Sequence, residues 1–267
     1  MAHNFGFIGT GNMGGAMIAG LAASKDIKLY GFDPDKKRLH SLEDSCGLIR
    51  QESPLEVAEK CEYIFYAVKP GLLKSVIKET LPALDDSKCL ISIAAGIQLS
   101  KIISWCENAC SVIRIMPNTP ALIDRGVFAV CLEHEKVTSA QKDIITSAVN
   151  RLGLTFVLPE QSFDLFTGLI GSGPAYVFYF MDSMIEAGVL LGMDRKNAAE
   201  MVKELFAGSS EMSLKIDKSI TEHREMVTSP GGTTAAGLSM LEKHAVKSAI
   251  MEAVKKAAER SAELGRD

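Results

Sequence analysis

Residues 5–14 read Phe5-Gly6-Phe7-Ile8-Gly9-Thr10-Gly11-Asn12-Met13-Gly14, and no other stretch limits the possible folds as tightly. A short apolar strand runs straight into glycines spaced G-x-G-x-x-G and then into helical periodicity. In that order each glycine has a separate duty. Gly9 permits the tight turn, Gly11 lets the backbone approach a pyrophosphate, and Gly14 lets a helix opening near Asn12 pack closely on the strand. The diphosphate of a dinucleotide then rests on Gly9, Thr10, Gly11, Asn12, Met13 and Gly14, where the helix N-terminus offers unpaired N–H groups. A bare strand-to-helix turn also needs small residues; the strand before and the helix after favour the nucleotide.

The alternation continues. A helix over 13–23 leads to a strand over 27–32 ending at Asp33, then a helix over 34–44. Asp33 stands where an acidic residue accepts the adenosine 2′-hydroxyl, which favours NAD(H). Lys36, Lys37 and Arg38 follow at once and suit a 2′-phosphate equally well, or form a solvated helix face, so the cofactor is left as NADPH or NADH. Strands over 63–68, 90–94 and 112–116, with helices from 71 and 99, extend a parallel doubly wound sheet. Ligands in such sheets lie beyond the carboxyl ends of strands, which makes Ala67, Val68, Lys69 and Pro70, and Ala94, Ala95 and Gly96, candidate cofactor contacts. Pro117 and Pro120 stiffen the next loop and present Asn118 and Thr119, either to a carboxamide or substrate or as an ordinary Asn turn. Strands over 127–132 and 154–158 flanking a helix over 139–152 complete a first domain, 1–159.

From Gln161 the pattern is helical, over 163–170, 175–191, 195–216 and 233–264, which gives a smaller all-α domain, 160–267. Leu238, Leu241, Ala245, Ala249, Ile250, Ala253, Val254 and Ala257 form one stripe too long for these helices to cover alone, so a partner subunit is expected on it. The 267 residues carry a net charge of −4, which offers no field for a nucleic-acid backbone. No apolar run reaches the ~20 residues of a membrane span, and a strand within the first few residues leaves no room for a signal peptide, so a cytoplasmic protein is expected. Cys46, Cys61, Cys89, Cys106, Cys110 and Cys131 show neither metal-ligand spacing nor a disulfide pattern and are read as reduced, mostly buried thiols. Cys106 and Cys110, four apart, are placed on one helix face in a packing role.

Between the helices lie Gly171-Ser172-Gly173-Pro174-Ala175-Tyr176 and Thr228-Ser229-Pro230-Gly231-Gly232-Thr233-Thr234, the latter leading into Ala235-Ala236-Gly237-Leu238. Gly231 and Gly232 leave N–H groups open at a helix N-terminus, where dipole and donors favour an anion such as a carboxylate, while a flexible glycine hinge is the plainer alternative. With the opening glycines, residues 67–70 and residues 114–120, the chain resembles the pyrroline-5-carboxylate reductase family over essentially its whole length. The S-P-G-G-x-T segment is the most specific part of the match. The resemblance implies a Rossmann-type domain followed by an all-α dimerisation domain, reduction of 1-pyrroline-5-carboxylate to L-proline by NAD(P)H, and dimers that assemble further into rings such as a decamer. It implies that Thr234 is catalytic, meeting the substrate ring nitrogen. Val227, Ser229, Gly231, Gly232, Thr233 and Thr234 bind the substrate, the glycines and Thr233 at its carboxylate. Met226 departs from the pattern, standing where relatives carry a polar asparagine.

Two other functions share parts of this pattern. A β-hydroxyacid dehydrogenase shares this layout but carries a lysine where this chain has Val177, and alcohol oxidation needs a general base that an imine reduction does not. A non-catalytic nucleotide-binding oligomer has no need of the second, anion-ready glycine turn.

Overall fold

The computed structural model describes residues 2–265. Its first part runs β1 (His3–Ile8), α1 (Asn12–Leu21), β2 (Ile27–Phe32), α2 (Lys36–Cys46), β3 (Ile49–Arg50), α3 (Pro54–Lys60), β4 (Tyr63–Tyr66), α4 (Pro70–Thr80), β5 (Cys89–Ser92) and α5 (Leu99–Trp105). It continues through β6 (Ser111–Met116), β7 (Gly126–Cys131), α6 (Ser139–Asn150), β8 (Gly153–Val157) and α7 (Phe163–Phe166), with a π-turn at Thr167–Gly171. The strands form one sheet in the order β3-β2-β1-β4-β5-β6-β7-β8. Strand order reverses between β1 and β4, so a ligand crevice opens at the carboxyl ends of those two strands.

The wholly parallel sheet expected from the sequence is corrected at one place, since β7 runs antiparallel to β6, with Ile115 opposite Val130. A parallel crossover needs about a dozen residues or more, and the link 117–125 holds only a 3-10 segment, Thr119–Ile123, so the chain turns straight back. Elsewhere alternation sorts the core as strand geometry requires. Phe5 and Phe7 face α1, and Phe7 stacks on Phe65 at 4.6 Å. Ile8, Ile64, Tyr66 and Leu90 face the other way, toward α3 and α4. The buried Tyr66 hydroxyl is satisfied by Thr80 Oγ1 at 2.6 Å.

The short β3 and α3 are absent from the sequence reading. Ser53 caps α3 by accepting the Glu56 N–H at 3.1 Å, and Pro54 opens its first turn. Gly6 of β1 makes room for α3, because a Cβ there would run into the Val57 side chain and lie 2.9 Å from Cys61 Sγ. The placement of Cys106 and Cys110 on one helix is also corrected. Cys106 caps the end of α5, and Glu107 and Asn108, both at φ +53°, turn the chain sharply before Cys110. Both thiols are buried, and Cys106 Sγ donates to the Ile103 carbonyl at 3.4 Å.

Residues 173–255 form a second contact unit, and the described residues from 256 onward cluster with the sheet. The remaining helices are α8 (Gly173–Leu190), α9 (Arg195–Lys215), α10 (Ile220–Met226), α11 (Thr233–Lys243) and α12 (Val246–Leu264). The unanticipated α10 is set by a capping box, in which Ser219 and Glu222 satisfy each other's backbone N–H groups. The single helix expected over 233–264 is broken: Ala245 sits at φ +51°, so the apolar stripe from Leu238 to Ala257 is shared by α11 and α12. Among the described residues of this unit, only Ala198, Val202 and His223 are buried, while Tyr179 is 74 % and Leu191 88 % exposed. Tyr179, Phe180, Met184, Leu241 and Ile250 line an open apolar groove of about 640 Å³. A helical unit with so little of its own core acquires one by association.

Candidate functional site

The opening glycines have distinct surroundings. Gly9 sits at φ +98°, and a Cβ there would lie 2.6 Å from the Ala67 carbonyl oxygen and 3.3 Å from Val68 Cγ1. A Cβ on Gly14 would run into the Gly9 carbonyl oxygen and lie 3.1 Å from Ala67 Cβ. These contacts make Gly9, Gly14 and Ala67 a close-packed floor. Gly11 differs, since a Cβ there would find only Arg38 Nη1, at 3.7 Å. Gly11 is also the N-cap of α1, without a side-chain cap and with no acidic residue in the first helical turn. Thr10 Oγ1 is buried beside it with no partner. An open face over Gly11, unpaired helix amides and an orphaned hydroxyl are what a dinucleotide diphosphate requires, so the residues fit that cofactor. Beyond Val68, Lys69 is exposed and caps α4, with Pro70 at its first position.

Asp33 is buried, and both carboxylate oxygens are engaged: Oδ2 accepts the Thr10 N–H at 2.6 Å and Oδ1 the Asp35 N–H at 2.9 Å. The carboxylate thus ties the glycine turn to the start of α2. Arg38 pairs with Asp35 at 3.3 Å and extends its guanidinium to Gly11. Asn118 braces two segments, accepting the Val127 N–H at 2.8 Å and donating to the Ile170 carbonyl at 3.3 Å. Ala94 and Gly96 are buried and Ala95 is partly exposed. Gly96, at φ +76°, packs against the end of α12, where a Cβ would lie 3.1 Å from Leu264 Cβ.

In the second unit, Gly231 at φ +68° turns the chain into Gly232, the N-cap of α11, which has no side-chain cap and no acid in its first turn. The Ser229 hydroxyl occupies the place a Gly232 Cβ would take. Thr233 is exposed and Thr234 half-buried, both in the first turn of the helix, and Val227 is exposed. The Gly232 N–H, expected to be open, is spent on the Ser229 carbonyl at 3.0 Å, so the donors that the turn offers a carboxylate are those of the first helical turn that follows, with the Ser229 hydroxyl beside them. Thr228 does not join them, because its hydroxyl donates back to the Arg224 carbonyl at 2.6 Å. Met226 is exposed on α10.

Two buried polar groups escaped the sequence reading. Arg114 is 3 % exposed and pairs with Glu160 at 2.7 Å, its guanidinium 4.6 Å over the Phe163 ring. The same Glu160 oxygen accepts the Leu99 N–H at 2.9 Å. His134 Nδ1 accepts the Val112 N–H at 2.9 Å while Nε2 meets Asn108 Oδ1 at 3.0 Å, which fixes the Nε2–H tautomer, and burial lowers its pKa. A strand arginine gives no spacing signal, and its partner lies far along the chain. Among the described residues no His, Cys, Asp and Glu cluster is arranged to hold a metal, and no helix is long and apolar enough to cross a membrane.

Comparison with known proteins covers both halves. Residues 160–264 match the family model for pyrroline-5-carboxylate reductase dimerisation, and residues 4–96 match that for NADP oxidoreductase, coenzyme F420-dependent. The chain is 35% identical over 269 residues to the pyrroline-5-carboxylate reductase of Escherichia coli strain K12, covering 100% of both chains. The crystal structure of Plasmodium falciparum pyrroline carboxylate reductase with NADP bound is similar at TM-score 0.88 and 35% identity, covering 98% of each chain. The Coxiella burnetii pyrroline-5-carboxylate reductase structure is similar at TM-score 0.89 and 30% identity, covering 99% of each. A glycine cradle on one unit, an anion-ready turn on the other and full-length identity of this order leave one assignment: the chain belongs to the pyrroline-5-carboxylate reductase family.

Proposed function

We infer that this chain reduces 1-pyrroline-5-carboxylate to L-proline with NAD(P)H, the last step of proline biosynthesis. The observation that carries the reading is the Ser229–Thr234 turn, whose uncapped helix N-terminus and glycine pair suit the substrate carboxylate. The full-length relatives that bear this enzyme's name support it. Bound in the Gly9–Gly14 cradle, the cofactor supplies a hydride equivalent. The chain holds the other reactant. Thr233 and Ser229 fix the carboxylate, Gly231 and Gly232 let it approach the backbone, Val227 lies beside them, and Thr234 Oγ1 meets the ring nitrogen. That hydroxyl accepts from the N–H of the protonated imine and, once the C=N electron pair has moved onto nitrogen, donates to the amine. An imine nitrogen takes its proton from water, so no general base is required, in keeping with Val177 standing where a hydroxyacid dehydrogenase needs lysine.

We place the cofactor contacts at Gly9, Thr10, Gly11, Asn12, Met13, Gly14, Ala67, Val68, Lys69, Pro70, Ala94, Ala95 and Gly96, with Asn118 as a brace for the neighbouring loop. NADPH is the preferred form, because Asp33 is occupied by backbone N–H groups and Arg38 reaches Gly11. Residues 1–159 serve the dinucleotide and 160–267 the substrate and dimerisation, except that the described residues from 256 onward return to the sheet. The dimer forms through the C-terminal helices, with rings of dimers as the larger assembly, in the cytoplasm, where six free cysteines stay reduced.

Thr234→Ala tests the assignment. A lost hydrogen bond to a partly charged nitrogen costs roughly 1.5–3 kcal/mol, about one to two decades in kcat/KM. Thr234→Ser retains most of the activity. An alanine variant that melts lower but turns over normally makes Thr234 a helix-capping residue and removes it from the chemistry.

A further inference from the structure

β5 leaves the sheet at Ser92, and the chain passes through Ala94, Ala95 and Gly96 before α5 begins at Leu99. This loop is held from two directions. At its far end, the Leu99 N–H donates to Glu160 Oε1, which is itself locked by Arg114. At its middle lies the turn that closes α12, Ser261–Gly265. A Cβ on Gly96 would stand 3.1 Å from Leu264 Cβ, 3.3 Å from the Ser261 carbonyl oxygen and 3.5 Å from the Gly265 nitrogen, and a Cβ on Gly265 would run into the Gly96 carbonyl oxygen. Both glycines are therefore needed for one close approach, backbone against backbone.

The turn is anchored independently of that approach. Ser261 is 3 % exposed, and its hydroxyl donates to Asp164 Oδ1 at 2.7 Å. Asp164 lies on α7, next to Phe163, whose ring carries the Arg114 guanidinium. The contacts thus close a circuit: loop, C-terminal turn, α7, Arg114, Glu160 and back to the loop through Leu99. A residue at φ +76° pinned on both sides has no freedom to drift, so Ala95, the partly exposed member of the loop, is presented in one position.

We propose that the C-terminal turn Ser261–Gly265 is a positioning element for cofactor binding, acting by holding the Ala94–Gly96 loop in place. The proposal rests on the reading of that loop as a cofactor contact. Its residues touch neither cofactor nor substrate, and their effect passes through Gly96.

Titrating full-length protein with NADPH in the absence of substrate, by fluorescence, tests it. Gly265→Ala sets a methyl group against the Gly96 carbonyl and weakens NADPH about ten-fold, and Ser261→Ala weakens it about three-fold. Asp164→Asn keeps an acceptor oxygen and binds as the wild type does. The KM for pyrroline-5-carboxylate is unchanged in all three, a split that a general loss of stability would not produce. Gly208→Ala on α9, where a Cβ meets nothing within 4 Å, is the control. Should Gly265→Ala fail to fold, Ser261→Ala decides, since it removes a single hydroxyl. Wild-type NADPH affinity in Ser261→Ala, with a lowered melting temperature, makes the turn a terminal staple and overturns the proposal. A wild-type protein that binds no NADPH overturns the cofactor reading itself, a separate and recognisable result.

Discussion

Glu160→Gln is the most informative single substitution, because it keeps the shape and both acceptor contacts of Glu160 while a neutral amide replaces the charged carboxylate. Arg114 is left with a guanidinium 3 % exposed and, among the described residues, no other carboxylate within ion-pair distance. At the observed 2.7 Å, the attraction lost is about 6 kcal/mol at an effective dielectric of ~20. The carboxylate is itself buried, its Oε2 without a partner, so uncharging the side chain recovers its own desolvation cost. The net loss expected is about 3 kcal/mol, the lower end of what breaking a buried pair costs. For a chain of this size that corresponds to a fall in Tm of roughly 6–12 °C, readable by differential scanning fluorimetry. The double variant Arg114→Met, Glu160→Gln removes the stranded charge while the introduced glutamine still accepts the Leu99 N–H, and it recovers to within about 1 kcal/mol of the wild type. A Glu160→Gln protein within about 1 kcal/mol of the wild type, or a double variant whose losses simply add, would refute the reasoning.

Gly11→Val fills the open face above the cradle, where only Arg38 lies within 4 Å, so the fold is retained while NADPH binding is lost; unchanged affinity by fluorescence titration removes Gly11 from the site. Arg38→Ala weakens NADPH by about one to two decades and leaves NADH within about two-fold. Asp33→Ala weakens both coenzymes equally, since it unties Thr10 and Asp35, and a selective loss of NADH would show that Asp33 reads the ribose instead. His134 is held neutral, its pKa below the ordinary value, so below about pH 6.5 the unfolded chain binds the extra proton. Its stability contribution is full above that pH and is lost as pH falls through the lowered pKa. Denaturation midpoints between pH 7 and 5 therefore fall more steeply in the wild type than in His134→Gln, and parallel slopes contradict the assignment.

Local signals carried the reading of the sheet and both glycine turns because strand periodicity, glycine spacing and helix starts are short-range. The Ser53-Pro54-Leu55-Glu56 and Ser219-Ile220-Thr221-Glu222 starts of α3 and α10 carry the same kind of signal, a capping residue with Glu three positions on, and were legible in principle. Other features depend on the fold. The reversal of β7 follows from how little chain links it to β6, and the break at Ala245 has neither Gly nor Pro to announce it. The engagement of Asp33 by Thr10, of Asn118 by Ile170 and of Gly96 by Leu264 arises only when distant segments meet, so spacing marked the position of these residues and not their partners.

Imine reduction of pyrroline-5-carboxylate by this chain is measured by following absorbance loss from NADPH with and without that substrate. Stoichiometric NADPH oxidation with formation of L-proline is expected only when pyrroline-5-carboxylate is present, with a rate reduced about one to two decades in Thr234→Ala. Tight NADPH binding with no substrate-dependent oxidation would contradict it and leave a nucleotide-binding oligomer.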